Sequence, residues 1–437
     1  MTESPQTRRT ILQGASGLAA TAALSPLALS SSQDRAGAAG DAELRVGLVG
    51  CGGRGKGATI QALNTGGVRL VAVADAFQDR ADDAVQELKG AHPKNVDVTR
   101  ENMHLGFDAY KKVIDSDVDV VVLATPPGFR AQHFEYAVSK GKHVFMEKPV
   151  AVDGPGVRKV LAAAKVAKEK NLKVGVGLQR HHSKKYQQTI NAIHDGAIGR
   201  PLFTRVYWNS AGVWVKPRRE DWSEMQYQMR NWYYFNWLCG DHITEQHIHN
   251  LDVGNWVMDS LPVKAAGMGG RQVRTGSKHG EIYDHFAIEY TYDDGAKMIS
   301  QCRHHPNTQN AVVEYAHGSE GTSLIQSGKI EQYEGEGWRF KGESPNPYQV
   351  EHDVLFEAIR KDLPHNEAER GANATLTAIL GRMAAYSGKT VTWEQAMNSK
   401  RILAPEVAEL TWDTMPKSLP MENGLYPIPT PGEYEII

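Results

Sequence analysis

The chain has 437 residues, with 49 Lys+Arg against 51 Asp+Glu, a formal net charge of −2. That length supports two domains with substantial cores, and the charge balance removes the electrostatic case for nucleic acid or an anionic membrane surface as partner. Three scattered cysteines, Cys51, Cys239 and Cys302, exclude a disulfide framework and a thiolate zinc site.

Residues 7–13 read TRRTILQ. Arg8 and Arg9 precede Ile11 and Leu12, then a weakly apolar stretch rich in Ala, Gly, Leu and Ser runs to about Leu29. The small-residue run 36–39 is the expected cleavage zone. This order is that of a twin-arginine export signal, so residues 1–40 are expected to be signal peptide and linker, and the mature protein to lie in the periplasm or cell envelope. The alternative is a tail with a chance Arg-Arg pair. The stretch is too short and too polar to hold as a spanning helix, and no later segment is apolar enough to cross a bilayer.

From Leu44 onward, apolar strands alternate with amphipathic helices. LRVGLVG (44–50) ends in a glycine loop, with a helix expected over 57–64, and VRLVAVADA (68–76) is the second strand. A helix at 79–90 follows, then the strand DVDVVVLATPP (117–127), a helix at 129–141 and the strand KHVFMEKP (142–149). A long helix at 154–171 and the strand LKVGVGLQ (172–179) complete the set. The pattern predicts an α/β, doubly wound parallel sheet of Rossmann type over 43–178.

Beyond residue 179 the strands lengthen and alternate, as in HFAIEYTYDD and KMISQCRHH, with helices expected at 240–258, 349–361 and 368–388. Residues 179–404 read as an α+β domain with a large, mostly antiparallel sheet, for substrate and oligomer contacts. Residues 405–437 are rich in proline and predict an extended arm, over this chain or a partner subunit.

The glycine loop GCGGRG (50–55) follows a strand and opens a helix. Gly50 permits the tight turn, Gly52 a close approach to a pyrophosphate, and Gly55 close helix–strand packing; Gly53 and Arg54 belong to the same loop. The helix N-terminus offers N–H groups and a positive dipole to phosphates. Asp75 ends the second strand, where an acid accepts from a ribose 2′-hydroxyl and repels a 2′-phosphate. NAD is therefore expected over NADP, although Arg80 lies nearby. Thr125 and Pro126, with Pro127, stand at the carboxyl end of the third strand beside the cofactor crevice.

At Glu147, Lys148 and Pro149 the parts assemble. The glycine loop, Asp75, ATPP, GKHVFMEKP, GLQRHHSKKYQ and GAIGRP resemble, in order and spacing, the Gfo/Idh/MocA oxidoreductases. The resemblance implies that Lys148 lies in the active site between substrate and nicotinamide ribose and tunes proton transfer. Glu147 is expected beside it at the cofactor. In CGDHITEQHIHNLD (239–252), His249 and Asp252 match the family's second signature. The earlier acid is replaced by Glu245, a glycine by His247, and the leading glycines by Cys239, Gly240 and Asp241.

On one continuous helix, His242, Glu245, His249 and Asp252 share a face, with His247 pointing elsewhere. Two functional readings compete for that face. In one, His249 is a general acid/base oriented by Glu245. In the other, His242, Glu245 and His249 bind zinc, with His182 as a further ligand. A bland reading, polar groups satisfying one another in a crowded interior, stands beside both. Gln179, Arg180, His181 and His182 enter the second domain and are expected to face the cleft; Gln179, Arg180, His182 and Asp252 are the substrate candidates. The aromatic run NWYYFNW (231–237), with Trp208, Trp214 and Trp222, suits either a sugar face or packing.

The expected function is NAD(P)-dependent oxidation of a CH–OH group in a sugar or sugar derivative, with a tightly bound cofactor and a homo-oligomeric assembly, dimer or tetramer. The alternatives are redox-neutral NAD-dependent glycoside hydrolysis, zinc-dependent hydrolysis on the same fold, and non-catalytic sugar binding.

Overall fold

The fold comes from a computed structural model, in which residues 43–436 are described. The export-signal reading falls on residues 1–40 and lies outside the described residues. The first sheet is made of β1 (Leu44–Val49), β2 (Val68–Asp75), β3 (Met103–Leu105), β4 (Val120–Leu123), β5 (His143–Met146) and β6 (Val174–Val176). Their order is β3-β2-β1-β4-β5-β6 and every pair is parallel. Val46, Leu48 and all of β4 are inaccessible to solvent, as expected of valine-rich strands covered on both faces. The strand order reverses between β1 and β4, and the carboxyl ends diverge there to leave a crevice.

The first helix runs Gly53–Asn64, starting inside the glycine loop rather than after it. Gly52 caps it in extended conformation, so the loop amides themselves form the helix N-terminus. β3 and the helix Ala109–Asp115 arise in a stretch with no strong periodicity, and the sequence pattern did not announce them.

The second sheet has nine strands: β7 (Pro201–Ser210), β8 (Lys264–Gly270), β9 (His285–Thr291), β10 (Lys297–His304), β11 (Ala311–Gly318), β12 (Gly321–Leu324), β13 (Lys329–Gln332), β14 (Trp338–Arg339) and β15 (Val391–Thr392). Their order is β14-β13-β12-β11-β7-β10-β9-β8-β15, antiparallel except for β7 with β10. Alternation sets the two faces. Phe286, Ile288 and Tyr290 of β9 are buried beneath helix Ala368–Ser387, while His285, Ala287 and Glu289 look outward. The outer face carries Phe203 stacked on His317 at 4.3 Å and Arg205 over Tyr315 at 4.4 Å.

A boundary at 178/179 does not partition the packing. Leu355, Phe356 and Ile359, from helix Pro347–Arg360, share one core with Val46, Val120 and Phe145. Buried Arg382 donates to Gly240 O and Val152 O, both at 2.7 Å, and so ties the two sheets' surroundings together. The arm beyond Pro405 lies on this chain. Gln132 brackets Pro405 O and Val407 N, and Trp412 packs on Phe77 and Phe107 with ring centroids 5.0 and 4.9 Å apart.

Several histidines are folded into this interior as neutral rings. Burial, then Arg130, holds His133 at about 3. Burial, then Arg180, does the same for His247, and burial, then Arg274, for His304. Each stays unprotonated in the fold while the unfolded chain takes up a proton below about 6.5. The stability they contribute is therefore complete above pH ~6.5 and is lost progressively as pH falls towards 3, by at most ~1.4 kcal/mol per histidine per pH unit. Thermal unfolding followed by circular dichroism is expected to show a midpoint that drops steadily from pH 7 to pH 5; a flat midpoint contradicts this account.

Candidate active site

Two connected cavities occupy the crevice. The larger, about 560 Å³, is floored by the carboxyl ends of β1, β2 and β4 and lined by Gly50, Gly52, Gly53, Asp75, Thr125 and Pro126. Gly50 has φ +98°, and a Cβ there would lie 2.5 Å from Thr125 N. A Cβ on Gly55 would lie 1.9 Å from Gly50 O, so only glycine lets the helix close on the strand. Gly52 and Gly53 have nothing within 4 Å of a would-be Cβ, leaving open space over the helix N-terminus. No acidic residue in the first helical turn competes for its amides.

Asp75 is mostly buried at the other end of this cavity. Its carboxylate accepts from Cys51 N at 2.8 Å and Phe77 N at 2.9 Å. Burial raises its pKa and these two amides oppose the rise. The second domain supplies the roof through Trp214, Lys216, Met229, Arg230 and Trp232. Arg230 pairs bidentately with Asp79 (2.8 and 2.9 Å) and lies 4.0 Å over the Phe77 ring, fastening the roof to the first sheet's helices. An open helix N-terminus, glycines that admit close approach and an acid at the end of β2 fit a dinucleotide.

The smaller cavity, about 310 Å³, shares Arg54, Ala124, Thr125 and Trp232 with the larger. Lys148 lies on its wall, Nζ donating to Glu245 O at 2.8 Å and Glu245 Oε1 at 3.1 Å. The Lys148–Pro149 peptide bond is cis. His249 faces the same space, its ring 6.0 Å from that of Trp208 and its Nδ1 without a partner. Burial first, then the neighbouring Lys148 charge, pushes the His249 pKa well below the usual histidine value, so the ring is neutral. Trp208, Trp232 and Tyr348 give the cavity an aromatic wall.

Arg54 and Glu147 also line this cavity, but they are committed to each other. Arg54 Nε pairs with Glu147 Oε1, Nη1 donates to Gln61 at 2.8 Å, and Nη2 pairs with Glu351 at 3.0 Å. The other Glu147 oxygen accepts from Lys148 N at 3.2 Å.

The continuous helix expected over 240–258 is broken. Asp241 adopts φ +69° and caps His242 N at 2.5 Å, a short helix spans His242–Glu245, and a second runs Ile248–Met258. His242 consequently points away from the cavity, stacking 4.2 Å from His304 and 5.1 Å from Phe286 beneath the second sheet. His242, Glu245 and His249 do not share a face. Among the described residues, the group whose ligand atoms approach closely enough for a metal is Asp284, His285 and His305, not this one. The zinc reading has no footing at this helix. His247 is buried against Ser300 at 2.8 Å.

Residues Gln179–His182 form a 3₁₀ turn whose side chains mostly face protein. Arg180 pairs with Glu314, which also accepts from Tyr186 at 3.0 Å and Asn250 at 2.5 Å. His181 meets Asp252 at 2.8 Å, and His182 meets Glu367 at 3.0 Å. Arg180, His182 and Asp252 line neither cavity; Gln179 reaches the smaller one indirectly, through Tyr348 at 2.9 Å. Sequence reasoning missed Arg130, Gln246 and Tyr348 as lining residues. The available signal for Arg130 was a charge in the first turn after ATPP; Tyr348 had none, being brought in by a helix from the far end of the chain.

The chain matches the model of an oxidoreductase family with an NAD-binding Rossmann fold over residues 44–178, and that of the GFO/IDH/MocA C-terminal domain over 186–323. It is 36% identical over 161 residues to inositol 2-dehydrogenase 4 of Saccharopolyspora erythraea, covering 37% of this chain and 44% of that protein. It is 25% identical over 303 residues to inositol 2-dehydrogenase of Rhizobium meliloti, covering 68% and 80% respectively. The aldose-aldose oxidoreductase of Caulobacter crescentus has the same fold, with TM-score 0.63 and 16% identity, over 80% of this chain and 99% of that one. The chain belongs to the Gfo/Idh/MocA oxidoreductase family.

Asp75→Ala removes the acceptor for two backbone amides and the acid at the end of β2. Titration with NADH, followed by fluorescence, is expected to show affinity falling about tenfold or more, about 1.4 kcal/mol; unchanged affinity contradicts the assignment of Asp75 to the nucleotide site.

Proposed function

We propose that this protein is an NAD-dependent oxidoreductase of a secondary alcohol in a cyclic polyol or sugar, and that it keeps its nucleotide bound through turnover. The observation that carries the reading is the meeting of Lys148, Glu245 and neutral His249 at an aromatic-walled cavity that opens into the dinucleotide groove. A bound nicotinamide supplies hydride acceptance and return. Gly50, Gly52, Gly53 and the first turn of helix Gly53–Asn64 would hold its phosphates, and Asp75 its adenosine ribose.

The chain's own groups manage the proton. His249, uncharged at neutral pH, accepts the hydroxyl proton; Lys148, held by Glu245, donates a hydrogen bond to the same oxygen. Trp208, Trp232 and Tyr348 offer flat apolar faces to the ring's C–H groups. A polyol ring agrees with the relatives' names, inositol dehydrogenases among them.

Tight retention is supported by the Arg230–Asp79 pair and by Trp412 behind Phe77 and Phe107. Retention fits export by the TRRTILQ segment, since free nicotinamide nucleotides are scarce outside the cytoplasm. The outer face of the nine-stranded sheet, with Phe203, Arg205 and Tyr315, supports pairing of subunits.

Protein purified without added nucleotide is expected to carry NAD, detectable by mass spectrometry of the denatured supernatant. Lys148→Ala is expected to lower kcat on a polyol substrate about 10²-fold or more with NAD still bound. The acid limb of the wild-type rate should lie below pH 6.5, because His249 resists protonation. Full activity in both Lys148→Ala and His249→Ala rules out this site. Cleaved glycoside with no net change in nicotinamide redox state would replace net oxidation by redox-neutral hydrolysis.

A further inference from the structure

Helix Pro127–Ser139 carries Arg130 in its first turn, with the residue only 1% exposed. Nη1 donates to Pro149 O at 2.7 Å, and Nη2 donates to Thr125 O. Nε has no partner. Among the described residues no carboxylate touches the guanidinium; Glu147 and Glu245 act on it through space.

Three costs meet in this residue. A desolvated cation is expensive without a contacting counter-ion, the first turn of a helix is its positive end, and an unmade hydrogen bond adds to both. A neutral donor would link two carbonyls more cheaply. The positive charge is what such a donor would lack. Among the residues lining the smaller cavity, Arg54 is matched by Glu147 and Glu351, and Lys148 by Glu245. Arg130 is the lining cation with no ion pair of its own.

We propose that Arg130 is a positioning residue for the reaction: its fork fixes the Thr125 turn against the Pro149 turn, and its unmatched charge stabilises the anion formed when the substrate hydroxyl is deprotonated. The inference rests on the oxidoreductase reading above. In that step the O–H bond breaks, the proton passes to the base, and the electron pair stays on the oxygen. Lys148 immediately precedes Pro149, so the bridge from Thr125 O to Pro149 O also sets where the lysine stands. The charged and titratable groups that line this cavity with Arg130 are Arg54, Glu147, Lys148, Glu245, His249 and Tyr348, and His133 lies one turn along Arg130's own helix, where it feels the same charge.

The test compares wild type, Arg130→Lys and Arg130→Met as full-length protein with its nucleotide. Two pH profiles are measured: the rate at which polyol reduces the resident nicotinamide in a single turnover, followed at 340 nm, and acetylation of Lys148 by acetic anhydride, read by mass spectrometry. In Arg130→Met both profiles are expected to move to higher pH, by roughly one unit, the order expected when a unit charge is removed at close range. In Arg130→Lys they stay in place while the single-turnover rate falls through loss of the fork. A purely structural role lowers rates in both variants with no movement of either profile, and that result overturns the proposal. A wild type that reduces no nicotinamide on any polyol refutes the oxidoreductase reading, while the labelling profile still decides what Arg130 does to its surroundings. Should Arg130→Met not fold, Arg130→Gln is measured in the same way, with the same two outcomes.

Discussion

Arg54, half-buried between two buried carboxylates, is the constraint from which the site is built. It belongs to the first turn of the helix that would receive the phosphates. Glu147, its partner, is the residue before Lys148, and Glu351 comes from a helix three hundred positions away in sequence. One Glu147 oxygen takes the guanidinium and the other takes the Lys148 amide, so the glycine loop and the lysine turn are held by opposite ends of one carboxylate. Gly177 makes room for it: a Cβ there would lie 2.7 Å from Glu147 Oε2. Burial, then the charge of Glu147, pushes the Glu351 pKa well above its usual value. Without Arg54, two desolvated carboxylates would face each other, a cost of about 3–5 kcal/mol on the usual scale for a broken buried pair. The glycine loop and the lysine turn therefore cannot drift apart independently.

Behind His249 a second polar assembly plays a comparable part. Asn250, its neighbour, donates to Glu314, which also binds Arg180 and Tyr186. The turn Gln179–His182 links the end of the first sheet, β11 and helix Ile248–Met258 through charged groups that are almost wholly buried. Arg180, through Glu314 and Asn250, and His181, through Asp252, therefore hold the helix that carries His249, while His182 engages Glu367 instead. Their field also matters, because Arg180 is among the charges that keep His249 and His247 unprotonated. Residues that touch the reacting groups are thus braced by residues whose own rotamers are locked.

Local pattern was enough for the first sheet and for the nucleotide loop, because both are written in short-range terms: valine-rich runs, three glycines at fixed spacing, an acid at the end of the second strand. Lys148, Glu245 and His249 were legible through the resemblance. What was not legible depended on long-range partners or on one unusual backbone angle. Asp241 enters the left-handed region and breaks the helix, which sends His242 under the sheet and dissolves the face it was expected to share with Glu245 and His249. Arg180 faces Glu314 across 134 positions and His182 faces Glu367 across 185, so their turn away from the cleft had no local signature. Tyr348 and Glu351 arrive from a helix that completes the first domain's core, and contiguous domain boundaries hide such residues.

The roof over the larger cavity bears on how turnover proceeds. Arg230, Phe77 and Asp79 form one latch, and Trp412 packs behind Phe77, so the second domain and the C-terminal arm are joined at one edge of this cavity. On the proposal of a resident nucleotide, electrons gained from one alcohol leave through the same opening by which they entered, the smaller cavity. That cavity must then receive the donor and afterwards the acceptor, one replacing the other. A wall of Trp208, Trp232 and Tyr348 suits alternate occupants, since aromatic faces bind ring C–H surfaces without demanding one hydroxyl pattern. On that proposal the directional groups, Lys148 and His249, with Glu245 holding the lysine, serve a single oxygen, which an alcohol and a carbonyl both possess. Broad acceptance of ring substituents and strict handling of one oxygen then follow from the same geometry.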